Sequence, residues 1–320
     1  MISFEDLRKT IEQAEDITVF RHVHPDADAY GSAFALKQFI KDNWPQKHIY
    51  ALGHETLGIG IFEELDAADD ETVKRSLAII TDCGSAARID DDRWQSAADT
   101  LKIDHHLPVE SYAAKEYVDE TASSSCEILA QCFLSYEDLV LSEKTALYLY
   151  QGMVSDSLGF TTGSTSSDTL LIASALAAKG IDLAEIHHAL YDTDLATYRF
   201  ISHLRSIMRI HEGNTAYAIL SLQDLKSLQI SGPHARDYVN TFGGIREIGA
   251  WALFTERDDG SGLYDGSLRA KYADVNEPAR KYHGGGHLCA SGCKLMSLED
   301  IEDCVAMMSA NVRKTESAHA

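Results

Sequence analysis

Ile17-Thr18-Val19-Phe20-Arg21-His22-Val23-His24-Pro25-Asp26-Ala27-Asp28 is the stretch on which the fold of this chain turns. An apolar, β-branched run reads as a strand, and the turn behind it packs imidazole and two carboxylates together. Borderline divalent ions such as manganese take that mixed ligand set. Ligands at a strand's C-terminal end converge on the crevice where open parallel sheets bind their ligands. The stretch therefore predicts an α/β fold with a metal site along the edge of a parallel sheet.

Working outward, residues 4–14 read as a capped amphipathic helix, with Ser3 three residues before Asp6. Gly31-Ser32 opens a second helical pattern that runs toward Pro45. A strand at 48–52, a short helix at 61–65 and a buried strand at 77–81 ending at Asp82 come next. Leu101-Lys102-Ile103 then ends at Asp104-His105-His106. Three strands thus deliver acidic or histidine residues at their C-terminal ends, and the alternation of strands with helices implies parallel pairing and right-handed crossovers. Two helical patterns between 124 and 153 lead to another acid, Asp156, and helices at 168–179, 183–190 and 195–210 follow.

Past Gly213 the character changes. Strands at 215–222, 250–255 and 262–269, a helix near 236–242 and a closing helix at 298–312 fit a smaller α+β domain, with the tail from Lys314 expected to fray. The glycine run Tyr282-His283-Gly284-Gly285-Gly286-His287 interrupts this order. The expected division is a catalytic domain at 1–190, a helical linker at 191–212 and a substrate-binding domain at 213–320.

Composition excludes several classes. At 320 residues with 45% hydrophobic and 24% charged content the chain is an ordinary soluble globular protein. Its apolar runs are too short for a membrane span, and the acidic N-terminus shows no secretory signal, so a cytoplasmic location is expected. A formal net charge of -22 argues against long duplex nucleic acid, whose affinity rests on Lys and Arg neutralising phosphates. Short phosphorylated ligands stay open, because carboxylates holding cations present a positive surface. The cysteines, Cys83, Cys126, Cys132, Cys289, Cys293 and Cys304, form no CxxC pair and read as free thiols of a reducing compartment. Cys289 and Cys293 are at most a weak zinc pattern.

The candidate metal ligands are His22, Asp26, Asp28, Asp82, His105 and Asp156, a number suited to two divalent ions. Two ions roughly 3.5–4 Å apart activate a water and clamp the attacking and leaving oxygens of phosphoryl transfer. Asp82, alone at the end of its strand, is the natural bridge; His22 and Asp26 complete one ion, and Asp28, His105 and Asp156 the other. Each residue singly has a plainer reading, since an aspartate after a strand is ordinarily a turn or helix cap. Four such motifs at element ends argue jointly for a site.

These motifs, with Thr81-Asp82-Cys83-Gly84, Asp104-His105-His106 and Ser155-Asp156-Ser157, resemble those of the DHH phosphoesterase superfamily. Ser267-Leu268-Arg269 and Gly284-Gly285-Gly286-His287 followed by Ala290-Ser291-Gly292 resemble its DHHA1 domain. The fold implied is an N-terminal parallel-sheet DHH domain joined by a helical linker to a smaller α+β DHHA1 domain. Family II pyrophosphatases carry a basic serine-arginine-lysine motif that is missing here, and RecJ exonucleases are longer. The two-domain form looks most like the NrnA-like branch of oligoribonucleases and pAp phosphatases. Ala27 departs from the glycine usual in that motif, and the ligands around it are kept.

The resemblance implies two divalent ions, manganese favoured over magnesium by the mixed His and Asp ligands, with Asp82 and His106 catalytic, and Arg269, Gly284, Gly285, Gly286 and His287 binding substrate in a cleft between the domains. His106 either contacts phosphate or protonates the leaving oxygen. Cleaving short RNA to 5'-mononucleotides and removing the 3'-phosphate of pAp both break phosphorus from a 3'-oxygen, so one site can serve both. The alternatives are a phosphodiesterase for pApA, cyclic di-AMP or cyclic di-GMP, and a nucleotide-binding sensor without catalysis. The oligomeric state, a homodimer included, stays open.

Overall fold

The computed structural model describes residues 2–108 and 110–319, and the chain divides into two compact units, Met1–Asp192 and Thr193–Ala320. In the first, α1 (Phe4–Gln13) starts at Ser3, whose hydroxyl oxygen accepts the Asp6 N–H at 3.1 Å while Asp6 accepts the Ser3 N–H at 3.0 Å. Next come β1 (Asp16–Phe20), α2 (Ala27–Asn43), β2 (His48–Ala51), α3 (Asp70–Arg75), β3 (Leu77–Thr81), β4 (Asp99–Asp104) and β5 (Lys115–Val118). These strands are parallel in the order β2-β1-β3-β4-β5. Ile17, Val19, Leu77, Ile79, Leu101 and Ile103 face one core, and Phe20, Ala78 and Ile80 the other. Burial on both faces is why these strands read as unbroken apolar runs. The edge strand β5, Lys-Glu-Tyr-Val with half-buried side chains, carries no such run and was not expected.

The order changes direction between β1 and β3, the switch point where open α/β sheets place their ligands. Four more helices complete the unit: α4 (Ser125–Leu134), α5 (Glu143–Asp156), α6 (Ser167–Ala177) and α7 (Leu183–Tyr191). α5 packs directly on α2 through glycine. A Cβ on Gly31 would stand 2.6 Å from the Tyr148 carbonyl oxygen, so only glycine permits this approach.

The helix expected at 61–65 is absent. The Gln151 side chain accepts the Ile61 N–H at 2.6 Å and donates to the Ile61 carbonyl at 3.0 Å, and Phe62 stacks on Tyr148 with ring centres 5.8 Å apart. Contacts with α5 hold this segment in irregular backbone and override its local propensity.

The second unit runs α8 (Leu195–Ile207), β6 (Arg209–His211), β7 (Thr215–Leu220), α9 (Leu222–Ser227), α10 (Gly232–Asp237), a 3-10 turn (Tyr238–Phe242), β8 (Ala250–Glu256), β9 (Tyr264–Ala270), α11 (Asn276–Lys281), β10 (Gly285–His287), β11 (Ala290–Met296) and α12 (Leu298–His319). Its sheet, ordered β10-β11-β9-β8-β7-β6, is antiparallel except for the β7–β8 pair. α8 buries Phe200 and Leu204 against Ala216, Ala218 and Phe242.

Three local expectations differ here. The helix expected at 195–210 stops at Ile207, because 209–211 pair with β7. The glycine run enters a strand at Gly285: a Cβ on Gly286 would lie 2.6 Å from the Ala290 carbonyl oxygen, so glycine lets β10 pair closely with β11. The tail stays helical to His319, where the Tyr272 hydroxyl donates to Glu316 at 2.6 Å; Ala320 lies outside the described residues.

Candidate metal centre

Adjacent parallel strands bring the candidate ligands together. His22 follows β1, Asp26 caps α2, Asp28 lies in its first turn, Asp82 follows β3, His105 follows β4 and Asp156 ends α5. His22, Asp26 and Asp82 present donor atoms within 4.8 Å of one another, and Asp28, His105 and Asp156 do the same. A third group, Asp82, His105 and His106, overlaps both. All six residues named from the sequence therefore meet in one place.

Asp82 sits in the middle. Its Oδ2 is 3.3 Å from His22 Nε2, and its Oδ1 is 3.5 Å from His105 Nε2 and 3.6 Å from His106 Nδ1. Its backbone is left-handed, φ +56°, a conformation that aspartate tolerates better than most residues. His22 Nδ1 lies 2.8 Å from the Val23 carbonyl; donation there leaves the Nε2 lone pair facing Asp82. His24 behaves differently: its side chain is 87% exposed and pairs with Glu55 at 3.3 Å.

Asp26 combines the plain role with the special one. Its Oδ1 accepts the Asp28 and Ala29 N–H groups at 3.0 Å each, capping α2, while its side chain stays half-exposed beside His22. Asp28 is fully buried and its two oxygens accept the Ser125 and Cys126 N–H groups at 2.7 and 2.9 Å. The start of α4 thus holds this carboxylate, as helix N-termini favour. A Cβ at Gly152 would come within 2.8 Å of Asp28 Oδ1, so that glycine makes room for the acid. Neither Gly152 nor the α4 amides announce themselves in the sequence.

The electrostatics are those of crowded carboxylates beside imidazole, a set that could hold cations. Burial and the charges of Asp82 and Asp156 push the Asp28 carboxyl well up. Burial also raises Asp156, against its bond to His105. Burial would lower His105, but its hydrogen bonds to Asp156 and Asp82 outweigh that and carry it up to about 11. Burial would raise Asp82, yet the His105 and His22 bonds hold it well below the usual carboxylate range. Protonated imidazole is supplying positive charge to crowded carboxylates. The four aspartates carry together the charge that two divalent cations would neutralise, and the donors are oxygen and imidazole nitrogen, so the residues fit such ions.

His106 is oriented by residues that the sequence left without a role. Its Nδ1 is 2.8 Å from Asp104 Oδ1, and the other Asp104 oxygen lies 3.0 Å from Lys102 Nζ, with both Asp104 and Lys102 fully buried. A lysine amid an apolar strand was the available signal.

In the second unit, Arg269 on β9 pairs with Ala290, which pairs with His287; Ser267, Gly292 and Gly285 form a parallel rank on the same face. That second rank borders a cavity of about 470 Å³ also lined by Arg236, Gly284 and Lys294. Of the three glycines, Gly285 alone has room for a Cβ, which would meet Asn276 Oδ1 at 3.8 Å; Gly284 and Gly286 are required by packing on β11.

The sequence profile of the DHH family, N-terminal domain, matches residues 16–153, and that of the DHHA1 domain matches 214–314. The chain belongs to the DHH family. This DHH protein is 32% identical over 94% of its length to the bifunctional oligoribonuclease and PAP phosphatase NrnA of Bacillus subtilis, covering 96% of that protein. It is likewise 32% identical over 95% of its length to the probable bifunctional oligoribonuclease and PAP phosphatase NrnA of Streptococcus mutans, covering 97%. In fold, the DHH protein matches an exopolyphosphatase-related protein from Bacteroides fragilis with a TM-score of 0.79 at 22% identity, covering 98% of this chain and 96% of the other. Among the described residues no helix is long and apolar enough to cross a membrane.

Proposed function

We propose that this chain is a two-metal phosphoesterase that hydrolyses short oligoribonucleotides to 5'-mononucleotides and removes the 3'-phosphate of pAp to give AMP. The observation that carries the reading is the pair of donor triads, His22-Asp26-Asp82 and Asp28-His105-Asp156, with Asp82 bordering both. The likeness to the two NrnA proteins along nearly the whole chain supports the choice of substrates. Two divalent ions, with manganese favoured over magnesium by the imidazole donors, would supply Lewis acidity toward phosphate and a means of acidifying water.

The chain's own residues set the rest. His22 offers Nε2 because Val23 occupies Nδ1, and the α4 amides orient Asp28. Asp104 takes His106 Nδ1–H, which leaves Nε2 for a phosphate oxygen or the leaving 3'-oxygen. In the second unit, Arg269, His287 and the Gly284–Gly286 run are proposed to hold the adjoining nucleotide, by charge and by the uncrowded backbone at Gly285. All six cysteines are free, which agrees with a reducing, cytoplasmic setting. The net charge of -22 disfavours long duplexes.

The test is a manganese-supplemented hydrolysis panel of pAp, pApA, short RNA, twenty-mer RNA and pyrophosphate. Turnover of pAp and of dinucleotides to short oligomers, far above that of twenty-mers, is expected. Rapid turnover of pyrophosphate alone would overturn the reading.

A further inference from the structure

The 3-10 turn Ala86–Arg88 lies beside the first donor triad and carries a cation that the site as described leaves unused. Its backbone is tied to the His22 loop: the Arg88 carbonyl accepts the Val23 N–H at 2.7 Å, and His22 and Ile89 form an antiparallel bridge. Arg88 is exposed, and one guanidinium nitrogen, Nη2, lies 3.5 Å from His22 Nδ1. That ring nitrogen cannot both donate to Val23 and accept from Arg88. The Val23 contact is the shorter, 2.8 Å, and is the one that leaves Nε2 free to ligate.

Arg88 then stands without a partner for its charge, although acids surround it in sequence. Asp90 is taken by Arg21 at 2.8 Å and Asp91 by Arg93 at 2.6 Å, while Glu110 accepts from Ser85 and the Ala86 N–H. Among the described residues no carboxylate pairs with Arg88. A planar five-donor cation held beside a cluster of cation ligands repels a metal and attracts an anion bound next to it.

We infer that Arg88 is a phosphate-binding catalytic residue of the N-terminal unit, its guanidinium forking onto non-bridging oxygens of the phosphate that reacts at the His22-Asp26-Asp82 side. This rests on the phosphoesterase reading above. The side chain forms and breaks no covalent bond; it stabilises charge that builds on those oxygens, for which loss of one donor costs about a hundredfold or more in rate.

The experiment compares wild type, Arg88→Met and Arg88→Lys. Manganese alone is titrated first, then inorganic phosphate into the manganese-loaded protein by calorimetry, then pAp and pApA turnover. Arg88→Met should bind manganese like wild type, weaken phosphate at least tenfold and lose about a hundredfold in turnover, with partial recovery in Arg88→Lys. Unchanged phosphate affinity in Arg88→Met, a wild type that fails to bind phosphate, or manganese binding lost in parallel would each overturn the assignment. Wild type that binds phosphate through Arg88 yet hydrolyses neither nucleotide would sink the phosphoesterase reading and leave the Arg88 site standing.

Discussion

Asp82 reaches His22 Nε2 with one carboxylate oxygen, at 3.3 Å, while its other oxygen lies 3.5 Å from the imidazole of His105. The left-handed backbone at Asp82, φ +56°, aims the two oxygens at different histidines. Asparagine tolerates that backbone as well as aspartate does. Asp82→Asn should therefore fold normally, judged by circular dichroism and melting, while hydrolysis falls by at least about a thousandfold, as expected when a central metal donor is lost. Normal turnover in this variant would refute the shared-ligand role.

His22 and His24 are two residues apart and chemically identical, yet only His22 turns its ring into the donor triad. His22→Ala should lose about a hundredfold or more in activity together with manganese affinity. His24→Ala should stay within about threefold of wild type, a change below the cost of one catalytic group. Equal losses in the two variants, measured as kcat/KM, would contradict this division.

In the metal-free protein His105, raised to about 11 by Asp156 and Asp82 against the effect of burial, holds a proton at neutral pH. A ligating imidazole must be neutral, so an ion held by the proposed Asp28-His105-Asp156 triad would have to expel that proton. Manganese titrated at pH 8 in buffers of different ionisation enthalpy should reveal proton release, and affinity should rise with pH. Binding with no net proton release would mean that His105 is not a ligand.

Lys102 and Asp104 are both fully buried, with Nζ 3.0 Å from Oδ2. Removing one partner of a buried ion pair leaves the other charge uncompensated, which costs ~3–5 kcal/mol. Lys102→Met should lower stability to urea by that amount. A loss under ~1 kcal/mol would show that the pair is not stabilising. Asp104→Asn, which alters the partner of His106 Nδ1, should lower kcat more than it raises KM and leave manganese affinity unchanged.

Much of the site was legible because its donors sit at the ends of apolar strands, where neighbouring residues in sequence identify the position in space. Asp82 after Leu77–Thr81 and His105 after β4 are of this kind. Asp26 shows the limit of that logic, since it is a helix cap as well as a triad member. The strand β10 was illegible for the opposite reason: three glycines read as a loop, and only packing against β11 explains two of them, Gly284 and Gly286. The non-helical segment at Ile61 depends on Gln151, ninety residues away.

By itself the sequence determined the parallel α/β framework and the second mixed domain and pointed to six candidate donors, because period, apolar runs and element-end chemistry are local properties. Tertiary structure alone decided that β1, β3 and β4 lie side by side, that Asp28 is gripped by the α4 amides, and that Lys102 backs Asp104 behind His106. It also separated His22 from His24. Those outcomes depend on strand order, helix approach and burial, which arise between residues far apart in the chain and leave no periodic trace in it.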